Sequence, residues 1–258
     1  MNRLHVLFIG NSFSQNTSQF LANFALGLGV TDVKVGTLYI GGCSVNMHTD
    51  NFENAAPSYE YYLDEGKGAV LTPNTSINEA VDSDEWDIIA IQSGTGDGSR
   101  LTDPFAYGNV EKLATMVKAA AKGSPKILFC MTWVGEACHS QAEIRAFDGN
   151  TALIYAIMRE IVRHYVSRLP VIDGIVPAGT AVENARLRFP SERLSLDHYH
   201  MSAVAGQSLL ALNFLMSATD LDVTTATWWP EDLTDSEKED LLACVKAAKA
   251  NPYEISAP

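Results

Sequence analysis

The run His5-Val6-Leu7-Phe8-Ile9 is apolar, rich in strand formers, and stops abruptly at Gly10-Asn11-Ser12-Phe13-Ser14. Beyond it the apolar positions change spacing. Phe20, Leu21, Phe24, Ala25 and Leu28 recur at intervals of three and four, the period of a helix. The stretch therefore reads as a strand, a tight turn and a helix. Ser12 falls at the carboxyl end of the first strand, the edge where open α/β sheets gather their chemistry. A serine held there by rigid backbone on both sides, with its own amide beside it, suits a nucleophile and part of an oxyanion hole.

Working outward, Asp32–Ile40 reads as a second strand that ends at Gly41-Gly42-Cys43-Ser44, and Trp86–Gln92 as a third. Lys126–Met131 is a fourth, leading into Thr132-Trp133, and Pro170–Pro177 a fifth. Helices are expected over Pro104–Ala121 and Ala178–Arg188. Another is expected over Ala152–Val166, with Leu153, Ile157, Ile161 and Val162 facing inwards. Strands alternating with helices specify a parallel sheet covered on both faces. Right-handed crossovers then bring Ser12, Gly41-Gly42, Gln92 and Thr132-Trp133 to one edge.

The main domain is read as residues 1–218, with an insertion at about 44–80 holding a short helix near Glu53–Leu63 and a hairpin around Lys67–Thr72. Residues 219–258 form a helical extension packed on the same domain. A capping box, Thr234-x-x-Glu237, opens its helix, and Leu241, Leu242, Val245 and Ala248 line one side.

The formal charge of −13 over 258 residues disfavours nucleic acid, whose affinity needs clustered Lys and Arg, and equally an anionic membrane surface. The four cysteines, Cys43, Cys130, Cys138 and Cys244, show no metal-ligand spacing, and Cys130 and Cys244 read as core thiols. No segment reaches the ~20 apolar residues of a membrane span. The first strand starts within a few residues of Met1. The expectation is a cytoplasmic protein, or a secreted or periplasmic one if a leader has been trimmed.

Asp197 and His200 lie three apart in a loop before a helix. An acid that orients an imidazole, which in turn takes a serine proton, makes that serine a nucleophile. His198 is the rival base, and a plainer reading has Asp197 capping the helix with both histidines as surface groups. Ser14 is either a second candidate nucleophile or, more simply, an N-cap. Tyr39, His48, Trp133 and His139 lie on loops near the site, where they either stack on a substrate or pack the loops. Asp97, Asp103 and Glu136 read as solvated acids, and the Glu231–Asp240 run as a solvated face. Gly94–Ser99 lacks the Lys-Ser/Thr ending of a phosphate loop. The His198/His200 pair has no second ligand cluster, so no metal is expected.

Gly10-Asn11-Ser12-Phe13-Ser14 together with Asp197-x-x-His200 resembles the SGNH (GDSL-like) hydrolase superfamily. More narrowly, these motifs with Tyr39-Ile40-Gly41-Gly42-Cys43-Ser44, Met131-Thr132-Trp133 and Tyr199-His200-x-Ser202 resemble an uncharacterised branch of it. The resemblance implies a flavodoxin-like three-layer α/β/α sandwich, with a five-stranded parallel sheet and no cofactor. It also implies a triad of Ser12, His200 and Asp197. The oxyanion hole would combine the Ser12 amide, a glycine amide after the second strand (Gly42, with Gly41 as rival) and an asparagine side chain after the third. No asparagine stands there; Gln92 offers the same donor on a longer arm.

The function expected on this basis is hydrolysis of acyl, in the first place acetyl, esters on a small molecule or oligosaccharide, with Trp133, Tyr39 and His48 as substrate-binding residues. The alternatives are a lipase or thioesterase with the same triad, and a catalytically silent glycan-binding protein on the same scaffold.

Overall fold

The computed structural model describes residues 1–92 and 105–256, with side chains omitted for 105–108. The first strand, β1 (Arg3–Gly10), is buried on both faces, and its side chains alternate between two cores. Leu4, Val6 and Phe8 point to one core, Leu7 and Ile9 to the other. It pairs in parallel with β2 (Asp32–Tyr39) on one side and β5 (Ile88–Gln92) on the other. β6 (Lys126–Cys130) and the short β7 (Gly174–Val176) continue the parallel part. The same alternation recurs in β5 and β6: Ile88, Ala90, Leu128 and Cys130 face one core, and Ile89, Ile91, Ile127 and Phe129 the other.

The sheet is larger than the expected five strands, and it is mixed. The insertion after β2 adds a hairpin, β3 (Tyr59–Asp64) and β4 (Val70–Thr75), running antiparallel to β2 and to each other. The strand order is β4-β3-β2-β1-β5-β6-β7. The helix expected near Glu53–Leu63 is therefore a strand from Tyr59 on. Glu60 and Tyr62 alternate there with Tyr59 and Tyr61, and Tyr59 and Tyr61 are buried. β4 is an edge strand, the kind of place where a proline such as Pro73 is tolerated.

Helices α1 (Ser12–Ser18) and α2 (Leu21–Gly27) follow β1; α3 (Val45–Glu53) and α4 (Ile77–Asp82) flank the hairpin. α5 (Phe105–Ala120), α6 (Ala142–Ala146) and α7 (Thr151–His164) fall between β5 and β7. α8 (Ala178–Arg186), α9 (Ser191–Leu194), α10 (Ala205–Ala218) and α11 (Asp235–Ala250) complete the chain. α1, α2, α8, α10 and α11 cover one face of the sheet, and α3, α4 and α5 the other. In α7 the buried side chains are Ile154, Tyr155, Met158 and Val162. Leu153, expected to face inwards, is 45% exposed, because the buried stripe runs through Ile154, Met158 and Val162, four residues apart, and Leu153 lies to its side.

The C-terminal helix packs against α8 and α10. Its Leu241, Cys244, Val245 and Ala248 share a core with α8 and α10. Thr234 and Glu237 form the capping box, and Arg193 of α9 donates to both Glu237 carboxylate oxygens, at 2.5 and 3.0 Å. The Arg193 guanidinium first, and the Thr234 amide second, hold the Glu237 carboxyl down at about 2. A carboxyl depressed in the native state stabilises above its ordinary value of 4.5, and that contribution is lost as pH falls towards 2. Glu237→Gln should cost about 1 kcal/mol at neutral pH, the upper end for a partly exposed bidentate pair. The melting-temperature gap to the parent should close as the buffer is taken from neutral to strongly acidic.

Candidate active site

The turn after β1 fixes the position of Ser12. Asn11 is the N-cap of α1, its Oδ1 accepting from the Phe13 amide at 3.0 Å, so Ser12 is the first helical residue. Its amide is then among the first-turn donors that no intrahelical carbonyl satisfies. Ser14, expected as the cap, is instead buried and donates to Gln92 Oε1. Gly10 makes this approach possible, since a Cβ there would lie 2.0 Å from Ser14 Oγ.

His200 Nε2 lies 2.9 Å from Ser12 Oγ, and His200 Nδ1 lies 2.8 Å from Asp197 Oδ2. The other Asp197 oxygen accepts the backbone amides of Tyr199 and His200, at 3.0 and 2.7 Å. Partial burial of Asp197 opposes ionisation, but the His200 ring and these amides outweigh it and hold the carboxyl below the usual range. Asp197 caps no helix, since α10 begins only at Ala205. The rival base, His198, turns the other way, its Nδ1 lying 3.0 Å from Glu136 Oε2.

Several contacts hold the loop that carries Asp197 and His200. Its two arms meet at the Ser195–Met201 bridge. The Met201 amide donates to Asn16 Oδ1 on α1 at 3.0 Å, one turn beyond Ser12. Trp133 Nε1 donates to the Tyr199 carbonyl at 2.8 Å, and its ring stacks on Phe13 at 4.1 Å. Trp133 is wholly buried, so it supports the loop from beneath and offers no face to a substrate. His139 stacks on Tyr199 at 4.8 Å.

His48 also departs from expectation. It is wholly buried on α3, its Nδ1 2.8 Å from the Tyr59 hydroxyl and 3.4 Å from Cys43 Sγ. Burial takes its imidazole down to about 3. It is a neutral brace under the Gly41–Cys43 turn, out of reach of a substrate. Tyr39 remains at the surface, half-buried, with its hydroxyl beside Gly41 and its ring edge-on to Tyr62 at 6.5 Å. Gly42 is exposed, with a φ of +64 that favours glycine.

Gln92 does not take the role foreseen for it. It is buried, its Nε2 donating to Asn11 Oδ1 at 2.6 Å while its Oε1 accepts the Ser14 hydroxyl. Asn11 passes the connection on, donating from Nδ2 to the Cys43 carbonyl at 3.1 Å. The amide is thus occupied in tying β5 to the turns after β1 and β2. Glu136, expected as a solvated acid, accepts from Ser191 at 2.5 Å as well as meeting His198. Partial burial works against it, but Ser191, His198 and nearby Arg186 hold its carboxyl low. Asp97, Asp103 and the Gly94–Ser99 run lie outside the described residues.

Asn16 was not singled out from sequence; its signal, a polar residue one helical turn after Ser12, is too common to read. The helices among the described residues include none long and apolar enough to cross a membrane.

The fold and these contacts define an α/β sandwich with a serine, an imidazole and a carboxylate in line at the carboxyl edge of its sheet. The chain belongs to the family described as a domain of unknown function, DUF4886, whose profile matches residues 5–250. Among solved structures it is similar to a DUF4886 family protein from Bacteroides uniformis, at 25% identity and a TM-score of 0.90, covering 99% of this chain and 98% of that one. It also resembles a catalytic mutant of Axe2, an acetylxylan esterase from Geobacillus stearothermophilus, at 15% identity and a TM-score of 0.53, covering 86% and 98%. LAE5, an α/β hydrolase enzyme from the metagenome of Lake Arreo, matches at 14% identity and a TM-score of 0.51, covering 84% and 95%. Comparison with the curated proteins finds no match.

Removing the Gln92 amide would leave Asn11 Oδ1 and the Ser14 hydroxyl each short of a partner inside a dry site. Gln92→Leu should therefore lower stability by about 1–3 kcal/mol, read as a lower urea midpoint with an unchanged slope.

Proposed function

We propose that the protein is a serine esterase of the SGNH type that removes short acyl groups, acetyl foremost, from a carbohydrate. One observation carries the reading: His200 bridges Ser12 Oγ and Asp197 Oδ2 at 2.9 and 2.8 Å. In the reaction, His200 Nε2 takes the Ser12 proton as Oγ attacks the ester carbonyl. Asp197 holds the Nδ1 proton in place and stabilises the imidazolium that forms. The oxyanion is held by the Ser12 and Gly42 amides. The imidazolium then protonates the leaving alcohol, and water, deprotonated by the same ring, releases the acyl group from Ser12.

The substrate class is supported by the acetylxylan esterase among the structural neighbours, whose catalytic mutants alter a serine and a histidine. It is supported too by Tyr39 and Tyr62, an aromatic pair beside the Gly41–Gly42 turn of the kind on which sugar rings stack. With the Gln92 side chain tied to Asn11 and Ser14, the oxyanion hole is read with two donors, the Ser12 and Gly42 amides. That favours one second reading, a glycan-binding protein without catalysis, since a single lost donor costs about 3 kcal/mol of transition-state stabilisation.

A fluorophosphonate separates the two readings. The esterase should gain one adduct at Ser12 by intact mass, and Ser12→Ala should gain none. A protein that stays unlabelled yet binds acetylated xylooligosaccharide would be the binding module. Among p-nitrophenyl esters, acetate should turn over faster than octanoate; the reverse order would mark a lipase or thioesterase. His200→Ala should slow labelling by about 10²–10⁴-fold, while His198→Ala should keep most of the rate. Equal losses would show the base to be misassigned.

A further inference from the structure

A second cluster of reactive side chains includes His198, on the loop that carries His200. Glu136, Cys138 and His198 each place one ligating atom within 4.8 Å of the other two. The three come from two segments about sixty residues apart, and the backbone joins those segments directly: the Glu136 amide donates to the His198 carbonyl at 2.7 Å. Their proximity is thus set by the fold. His198 holds a left-handed φ of +65, unusual for a residue that is not glycine.

The surrounding groups orient the cluster as a metal site requires. The Ser191 hydroxyl donates to Glu136 Oε1 at 2.5 Å, which leaves Oε2 turned to the His198 ring at 3.0 Å. Such an outer hydrogen bond is what fixes a ligating carboxylate. Arg186, a nearby cation, gives its hydrogen bonds to other groups, donating to Glu183 Oε1 at 2.5 Å and to the Val134 carbonyl at 2.7 Å. The Glu136–His198 ion pair alone would explain two of the three residues. It does not call for a thiol at the third corner, and Cys138 is exposed where the other three cysteines are buried.

We propose that Glu136, Cys138 and His198 bind a zinc-class divalent cation, and that its binding fixes the loop carrying Asp197 and His200. Thiolate, imidazole and carboxylate together suit a borderline-soft ion and are a poor set for magnesium or calcium. Tetrahedral zinc needs its ligand atoms about 3.3–3.5 Å apart. The cluster lies within 4.8 Å, and the exposed Cys138 and His198 side chains can close the difference by changing rotamer. Three protein ligands leave a fourth position for water. His200 itself stays on Ser12, so the ion acts as a brace and takes no part in the ester chemistry.

The test uses the full chain in its folded state. As the exposed cysteine, Cys138 should alkylate first with iodoacetamide, followed by mass spectrometry. Zinc at about ten times its dissociation constant should slow that reaction about tenfold by occupancy, and magnesium should leave it unchanged. One zinc per chain should remain after desalting. Two variants address the ligands: His198→Asn, which tolerates the left-handed backbone, and Glu136→Gln, which keeps the shape of the carboxylate. Each should weaken protection by about tenfold or more. Zinc should raise the melting temperature of the parent and of Ser12→Ala alike, so the result stands apart from the esterase reading. Alkylation indifferent to zinc, or protection that survives both variants, would overturn the site.

Discussion

A buried amide joins three strand ends, and the site rests on it. Gln92, closing β5, holds Asn11 with one end and Ser14 with the other, and Asn11 in turn holds the Cys43 carbonyl after β2. Hydrogen bonds of this kind are worth little net while made and much when broken, because the groups left behind have no water to turn to. The network therefore sets the relative position of the serine turn and the glycine turn more firmly than packing alone would. Gly10 is part of the same constraint, since any side chain there would displace Ser14 from the amide.

Much of this was legible in the order of residues. The strand ending at Gly10, the alternation of strands and helices, and the capping box at Thr234 were read from periodicity and punctuation, which are local signals. The hairpin was half legible. Its turn shows in the glycines at 66 and 68, but β3 carries four aromatic and acidic residues, Tyr59, Glu60, Tyr61 and Tyr62, that suit a helix or a strand equally. Only pairing with β2 decides between them, and pairing is not written locally.

The site divides along the same line. Ser12, Asp197 and His200 could be picked out as candidates, because a serine at a strand end and an acid three before a histidine are patterns that can be read from sequence. Which polar groups would be spent on one another could not. Gln92, His48 and Trp133 were all plausible at the surface of the cleft, and all three lie beneath it. Burial of a polar side chain follows from which partner folds against it, as the Tyr59 hydroxyl does against His48 and the Tyr199 carbonyl against Trp133.

The bond between Arg193 and Glu237 has a consequence in time. His200 leaves the ribosome 188 residues after Ser12, roughly 10–40 s at ordinary elongation rates. The helix that braces the imidazole loop through Arg193 comes later still. The nascent chain thus carries its serine without that imidazole throughout the interval.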